Sequence, residues 1–161
     1  MTLPMTRSPA LLEPLVPTVS LAQCASLSVA FSRGRVDDDA VWVRRIRRDA
    51  DLALKRSPYD QAPELRDAVA YVVTELVANA LHHGVGDVVM EMRRCEDSLL
   101  ISVESGAGDQ EPIVRATSLT DESGRGLMIV AVLASEWGYT HRGANLRVWA
   151  RLAASPLEVQ R

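Results

Sequence analysis

Apolar positions along the chain follow two different periods, and the changes from one to the other mark the elements. Between Asp38 and Arg56, Ala40, Val41, Val43, Ile46, Ala50 and Leu54 recur at helical spacing. The acidic run Asp37-Asp38-Asp39 precedes them and Ser57-Pro58 ends them, which predicts a first helix. Pro63 then occupies a favourable first-turn position, and a second helix is predicted from about Glu64 to His82, stopped by Gly84. The period next shortens to two. Val88, Met90 and Met92, and then Leu99, Ile101 and Val103, each mark one face of a strand, joined by the polar turn Cys95-Glu96-Asp97-Ser98. These runs, Asp87 to Met92 and Leu99 to Val103, predict an antiparallel hairpin. Gly124-Arg125-Gly126 opens a third helix, Leu127 to about Ala134, and strands Trp137 to His141 and Leu146 to Leu152 follow around Gly143-Ala144-Asn145. A weaker alternation from Val19 to Phe31 predicts a strand ahead of all of these. Gly106 to Gly124 has no period and reads as a mobile loop with a functional reason for its length.

Strand, helix, helix, hairpin, loop, helix and two strands in that order predict an α+β two-layer sandwich. Its sheet is expected to be mixed but mostly antiparallel, with helices on one face. One domain is expected over residues 19–153, preceded by a disordered or loosely docked arm, 1–18, and followed by a tail, 154–161. Pro4, Pro9, Pro14 and Pro17 break any helix in the arm and leave no apolar run for a signal sequence or membrane span.

Composition narrows the chemistry. A chain of 161 residues with 47% hydrophobic and 24% charged positions is ordinary for a globular domain. The net charge of −3 provides no global field for a polyanion. The local cluster Arg44, Arg45, Arg47 and Arg48 lies mostly off the apolar stripe and reads as a solvated helix face, with a partner-binding face as the alternative. Lys55 is the one lysine among eighteen basic residues, so lysine-dependent phosphate loops and kinase motifs are absent. Cys24 and Cys95 form no C-x-x-C pair and are too few for a thiolate metal site, which points to two separate thiols in a reducing cytoplasm.

Within the second helix, VVTELVANALHHG places Glu75 and Asn79 one turn apart in an apolar run. Val69, Val72, Val73, Leu76, Val77 and Ala80 share one arc, and the two polar residues lie on its edge. Such an edge lets aliphatic stems pack while the polar heads converge beside the sheet. A Glu/Asn pair at this spacing would in most sequences simply solvate the helix edge. The downstream order is what points to a nucleotide site: a strand ending in glycines, a long loop, then G-x-G opening a helix. A carboxamide oxygen suits Mg²⁺, which makes Asn79 the candidate ligand. A carboxylate one turn earlier makes Glu75 the candidate base. Gly124 and Gly126 allow close backbone approach to phosphate at a helix N-terminus, where Arg125 adds charge. His82 and His83 are better explained by the helix C-terminus than by a zinc site.

These residues resemble the GHKL ATP-binding fold, and within it the anti-sigma-factor serine kinases of bacteria. ELVANALHHG is similar to the N box, ESGRGLMIVAVLASEWG to the second glycine box with its helix, and RVWARL to the terminal strand. The resemblance covers about Val19 to Leu152 and implies binding of ATP and Mg²⁺ between sheet and helices. It further implies phosphorylation of a serine on an anti-anti-sigma antagonist, sequestration of a sigma factor, and pairing as a homodimer; direct binding of nucleic acid or membrane is not implied. Carried over, Glu75 is the catalytic carboxylate and Asn79 the Mg²⁺ ligand. Leu76, Ala80 and Gly84 support the site, and Gly124, Arg125, Gly126 and Leu127 form the phosphate-side loop. Where the family has an adenine-binding aspartate in D-x-G-x-G, this chain reads VESGAGD. Glycine spacing assigns that position to Glu104, ahead of Gly106 and Gly108, whereas strand parity assigns it to Ser105 unless a bulge flips the register. Arg147 stands where a small hydroxyl residue is expected. An interaction module of the same fold that binds ATP weakly or not at all is the alternative, and an ATP hydrolase a more distant one.

Overall fold

The computed structural model describes residues 24–32, 39–109 and 125–154. Eight elements follow in chain order: β1 (Ala25–Ser32), α1 (Asp39–Lys55), α2 (Pro63–His83), β2 (Val85–Arg94), β3 (Ser98–Gly106), α3 (Arg125–Leu133), β4 (Glu136–Arg142) and β5 (Asn145–Ala153). The five strands form one sheet in the order β1-β2-β3-β5-β4. Every pairing between them is antiparallel, so the parallel component expected of a mixed sheet is absent among the described residues. The expected arm, the tail beyond Ala154 and most of the long loop lie outside the described residues.

Local chemistry sets the element ends. Pro63 begins α2, where a missing N–H costs nothing, and Gly84 ends it by donating its N–H to the Ala80 carbonyl at 2.9 Å. The hairpin turn is closed by the Cys95 N–H bonded to the Ser98 carbonyl at 2.8 Å. Gly143 in the β4–β5 turn has a φ of +62°, a conformation that favours glycine.

The helices lie on one face of the sheet. Leu99, Ile101 and Val103 of β3 and Val148, Ala150 and Leu152 of β5 meet Val69, Val72, Val73, Leu76 and Val77 of α2 in one buried cluster. On α1 the buried residues are Trp42, Ile46, Ala50 and Leu54, spaced by four, while Val41 is 50% exposed. The sequence reading had Val41 on the stripe; the larger Trp42 ring takes the core side, and its neighbour turns about 100° outward. Arg44, Arg45, Arg47 and Arg48 are all exposed. The two long helices are clamped by Arg66, whose guanidinium reaches the Asp51 carboxylate at 2.7 and 2.8 Å.

The opposite face carries a second, smaller cluster of Cys24, Cys95, Leu100 and Trp149. Cys24 and Cys95 are joined by a disulfide, which corrects the expectation of two separate thiols. Pairing of β1 with β2, in which Ala25 faces Arg94, brings together two residues 71 positions apart. The inference of a reducing setting rested on their being apart and loses that support.

Candidate functional site

Strand parity in β3 decides which residue faces the helices at the strand's end. Pairing of β3 with β5 runs without interruption from Ser98↔Ala153 to Gly106↔Asn145, so no bulge flips the register there. Leu99, Ile101, Val103 and Ser105 therefore share the helix-covered face, and Ser105 is 5% exposed. Glu104 projects from the other face, which corrects its assignment by glycine spacing. There it accepts hydrogen bonds from Asn145 Nδ2 at 3.0 Å and Arg147 Nε at 3.1 Å, and pairs with Arg142 at 3.4 Å. Arg147 is thus occupied on that face too, and Leu146 takes the inward position beside Ser105.

Burial alone would raise the Glu104 carboxyl, but the Asn145 bond and the Arg147 and Arg142 charges together outweigh it and hold the group below the ordinary glutamate range. A depressed folded pKa supplies stability above the unfolded value that is lost as pH falls through the folded one. Wild-type protein should consequently lose more stability than Glu104→Gln as the pH drops below about 4.3. Urea melts of both proteins over that range check this, and parallel pH profiles would count against the network.

On the covered face, the end of α2 and the end of β3 approach too closely for side chains. A Cβ on Gly84 would strike Ser105 Oγ and lie 2.5 Å from the Ala80 carbonyl oxygen. One on Gly108 would strike the His83 carbonyl oxygen, and one on Gly106 would lie 2.5 Å from that of Val85. Glycine at these positions is a steric requirement, and it seats Ser105 directly under the last turn of α2.

One and two turns back along α2 are Asn79 and Glu75, both half-buried on the edge of the apolar arc, as their azimuth predicts. Neither side chain has a hydrogen-bond or ion-pair partner among the described residues. Glu75 points at the start of α3, where a Cβ on Gly126 would strike its Oε2. Burial raises the Glu75 carboxyl above the usual carboxylate range.

α3 is held by Leu127 and Val130, which are buried in the main core. Leu127 therefore anchors the helix, and Gly126 is the position that meets Glu75. Arg125 opens α3, although its side chain lies outside the described residues, as does Gly124. The structure thus brings Glu75, Asn79, Gly84, Ser105, Gly106, Gly108 and Gly126 to one face around α2 and leaves Glu104 on the other. His82 and His83, both exposed, end the helix nearby.

Chemically this is a neutral carboxamide oxygen, a carboxyl with a raised pKa, and a helix N-terminus whose first N–H groups have no partner within the helix, arranged beside a glycine-lined seam. Such a set fits a metal-bound phosphate: Asn79 and Glu75 are unengaged by other described residues, and Gly126 keeps the α3 backbone bare.

A family model described as histidine kinase-like ATPase domain matches residues 36–152, from just before α1 to the penultimate residue of β5. Among curated proteins, none matches the chain.

Proposed function

The chain belongs to the histidine kinase-like ATPase domain family, and from that premise we propose that it is an ATP-dependent protein serine/threonine kinase acting as an anti-sigma factor. Its substrate would be a serine on an anti-anti-sigma antagonist, and its regulatory output the holding of a sigma factor. Domains of this family bind ATP, usually with Mg²⁺. The observation that carries the reading is Glu75, a half-buried carboxyl with a raised pKa, facing the bare backbone of Gly126 at the start of α3.

In this reading Asn79 would hold Mg²⁺, which supplies neutralisation of phosphate charge when bound. The first-turn N–H groups of α3 would receive phosphate oxygens. Glu75 accepts the proton of the substrate serine as its Oγ bonds to the γ-phosphorus, and the bond from that phosphorus to the bridging oxygen breaks to release ADP. A carboxyl raised by burial is a better proton acceptor than an exposed one, because its basicity lies nearer the working pH. The half-buried position also limits the access of water, which would compete with serine as the acceptor.

One observation favours a second reading, an interaction module with weak nucleotide binding. The buried position next to the base site holds Ser105, a neutral acceptor wedged against Gly84, and the nearby carboxylate of Glu104 is bound on the other face. Leaving an adenine amino group poorly met would cost about 1–3 kcal/mol of affinity.

Titration calorimetry with Mg·ATP and Mg·ADP separates the two. Under the kinase reading, wild type binds both nucleotides and Asn79→Ala binds them at least about 10- to 100-fold more weakly, the loss usual when even an outer partner of a metal is removed. Wild type that gives neither heat nor thermal stabilisation at millimolar nucleotide would leave the interaction module as the function.

A further inference from the structure

Helix α3 is apolar all round. After Arg125 its residues read GLMIVAVL, with no charged or hydrogen-bonding side chain. A helix of that composition is normally buried on every side. Only Leu127 and Val130 enter the main core, with Ala134 packed against it just past the helix end. Those three share one side at about 100° per residue, which leaves Met128, Ile129, Val132 and Leu133 on the remaining arc. All four are exposed, Val132 at 79%. Single exposed aliphatic residues are ordinary, whereas four grouped on one helix mark a surface that meets a partner.

The place of this face narrows the partner. Gly126, in the first turn of α3, meets the Glu75 carboxyl. At a rise of about 1.5 Å per residue, the four apolar residues lie about 3–10 Å further along the axis. On α2, Tyr71 stands one turn before Glu75 on the same edge and is 59% exposed. A partner that brings a hydroxyl to Glu75 therefore passes beside both helices. Together the five side chains leave on the order of 500 Å² in water, short of the roughly 800 Å² a side that a standard stable complex buries. That area is too small to hold a second copy permanently, and it suits a molecule that binds, reacts and leaves. The face of α3 carries no charge, so the surface that complements it is apolar.

We propose that the exposed face of α3, with Tyr71 of α2 as an aromatic anchor, is the docking surface for the serine-bearing protein substrate, held through apolar residues that flank its acceptor serine. The choice of occupant rests on the kinase reading above, and the existence of the surface rests on α3.

Displayed random peptides with one fixed central serine are the probe. Selection on the wild-type protein should enrich sequences with apolar residues beside the serine. The enriched peptides should bind Val132→Asp at least about 10-fold more weakly and bind Val132→Leu normally. Because Val132 is exposed, Val132→Asp should melt with wild type and bind Mg·ATP as wild type does. No enrichment, or equal binding to wild type and Val132→Asp, overturns the proposal. A fall in melting temperature of the size caused by a core substitution also overturns it, because another segment of the chain then covers the face. A wild-type dimer in sedimentation that Val132→Asp splits does so too, because the cover is then a second copy. Radiolabelled ATP added to the enriched peptides separates this proposal from the kinase reading. Label on the serine that falls in Val132→Asp through a raised KM with kcat kept supports both. Label that is equal in the two proteins keeps the kinase and overturns the docking face. Binding that depends on Val132 but yields no label overturns the assignment of a kinase substrate to the face.

Discussion

Replacing Glu75 by glutamine is expected to slow phosphoryl transfer about 10²- to 10⁴-fold while changing Mg·ATP affinity little. The amide keeps the shape of the side chain and its contact with Gly126, but it cannot take the serine proton. The expected pattern is thus a large loss of rate with nearly unchanged binding, the opposite of Asn79→Ala, where binding itself fails. Radiolabel transfer to candidate antagonist proteins, measured beside calorimetry on the same preparations, separates the two. Transfer unaffected by Glu75→Gln would remove the proton-accepting role. Stability should move the other way. A glutamate whose folded pKa is raised contributes stability that is present below its unfolded pKa and lost as pH rises through the folded value. At neutral pH the buried carboxylate is therefore a burden on the fold, and the Glu75→Gln protein should melt at least as high as wild type. A residue kept at a cost to stability is what a catalytic position leads one to expect.

Breaking the Cys24–Cys95 bond, by Cys95→Ser or by reduction, is expected to lower folding stability by about 2–4 kcal/mol. The bond closes a loop across a separation of 71 residues, and in the chain-entropy description its main effect is to restrict the unfolded ensemble. It also fixes β1, which among the described strands is an edge strand with one neighbour, to the turn between β2 and β3. Denaturant midpoints of wild type with and without dithiothreitol, set beside those of Cys95→Ser, make the comparison. Reductant should shift wild type onto the variant and leave the variant where it was. Equal midpoints for oxidised and reduced wild type would show that the link adds nothing to the fold.

Much of this architecture was legible in the sequence because periodicity reports burial directly. The α2 arc from Val69 to Ala80 and the alternation in β3 are both found in the core as read. Less legible was anything that depended on a distant partner. Nothing near Cys24 in the sequence points to Cys95; their meeting follows from the register of β1 on β2. Val41 and Trp42 are adjacent apolar residues, and only the packing of the indole shows which one faces inward. The Glu104 and Ser105 alternatives show how two sequence rules can conflict. Glycine spacing transfers a motif, whereas parity follows the pleat, and the uninterrupted β3–β5 ladder made parity the deciding rule. Trp149 was unreadable for a related reason, since in RVWARL it alternates with the core residues Val148 and Ala150 and so belongs to the side expected to be polar.

The strand order also fixes when each part of the sheet can form. β2 and β3 are joined by a short turn, so their pairing closes a small loop and comes early, with α2 immediately before them ready to pack. β1 precedes both long helices yet pairs with β2 beyond them, and β5 must reach β3 across α3 and β4. Both contacts pay for long loop closures, which slow folding. During synthesis β1 leaves the ribosome first and stays without a partner until the hairpin exists. The Cys24–Cys95 bond closes a loop across 71 residues, so it cannot form until the turn between β2 and β3 has been made, long after Cys24 itself.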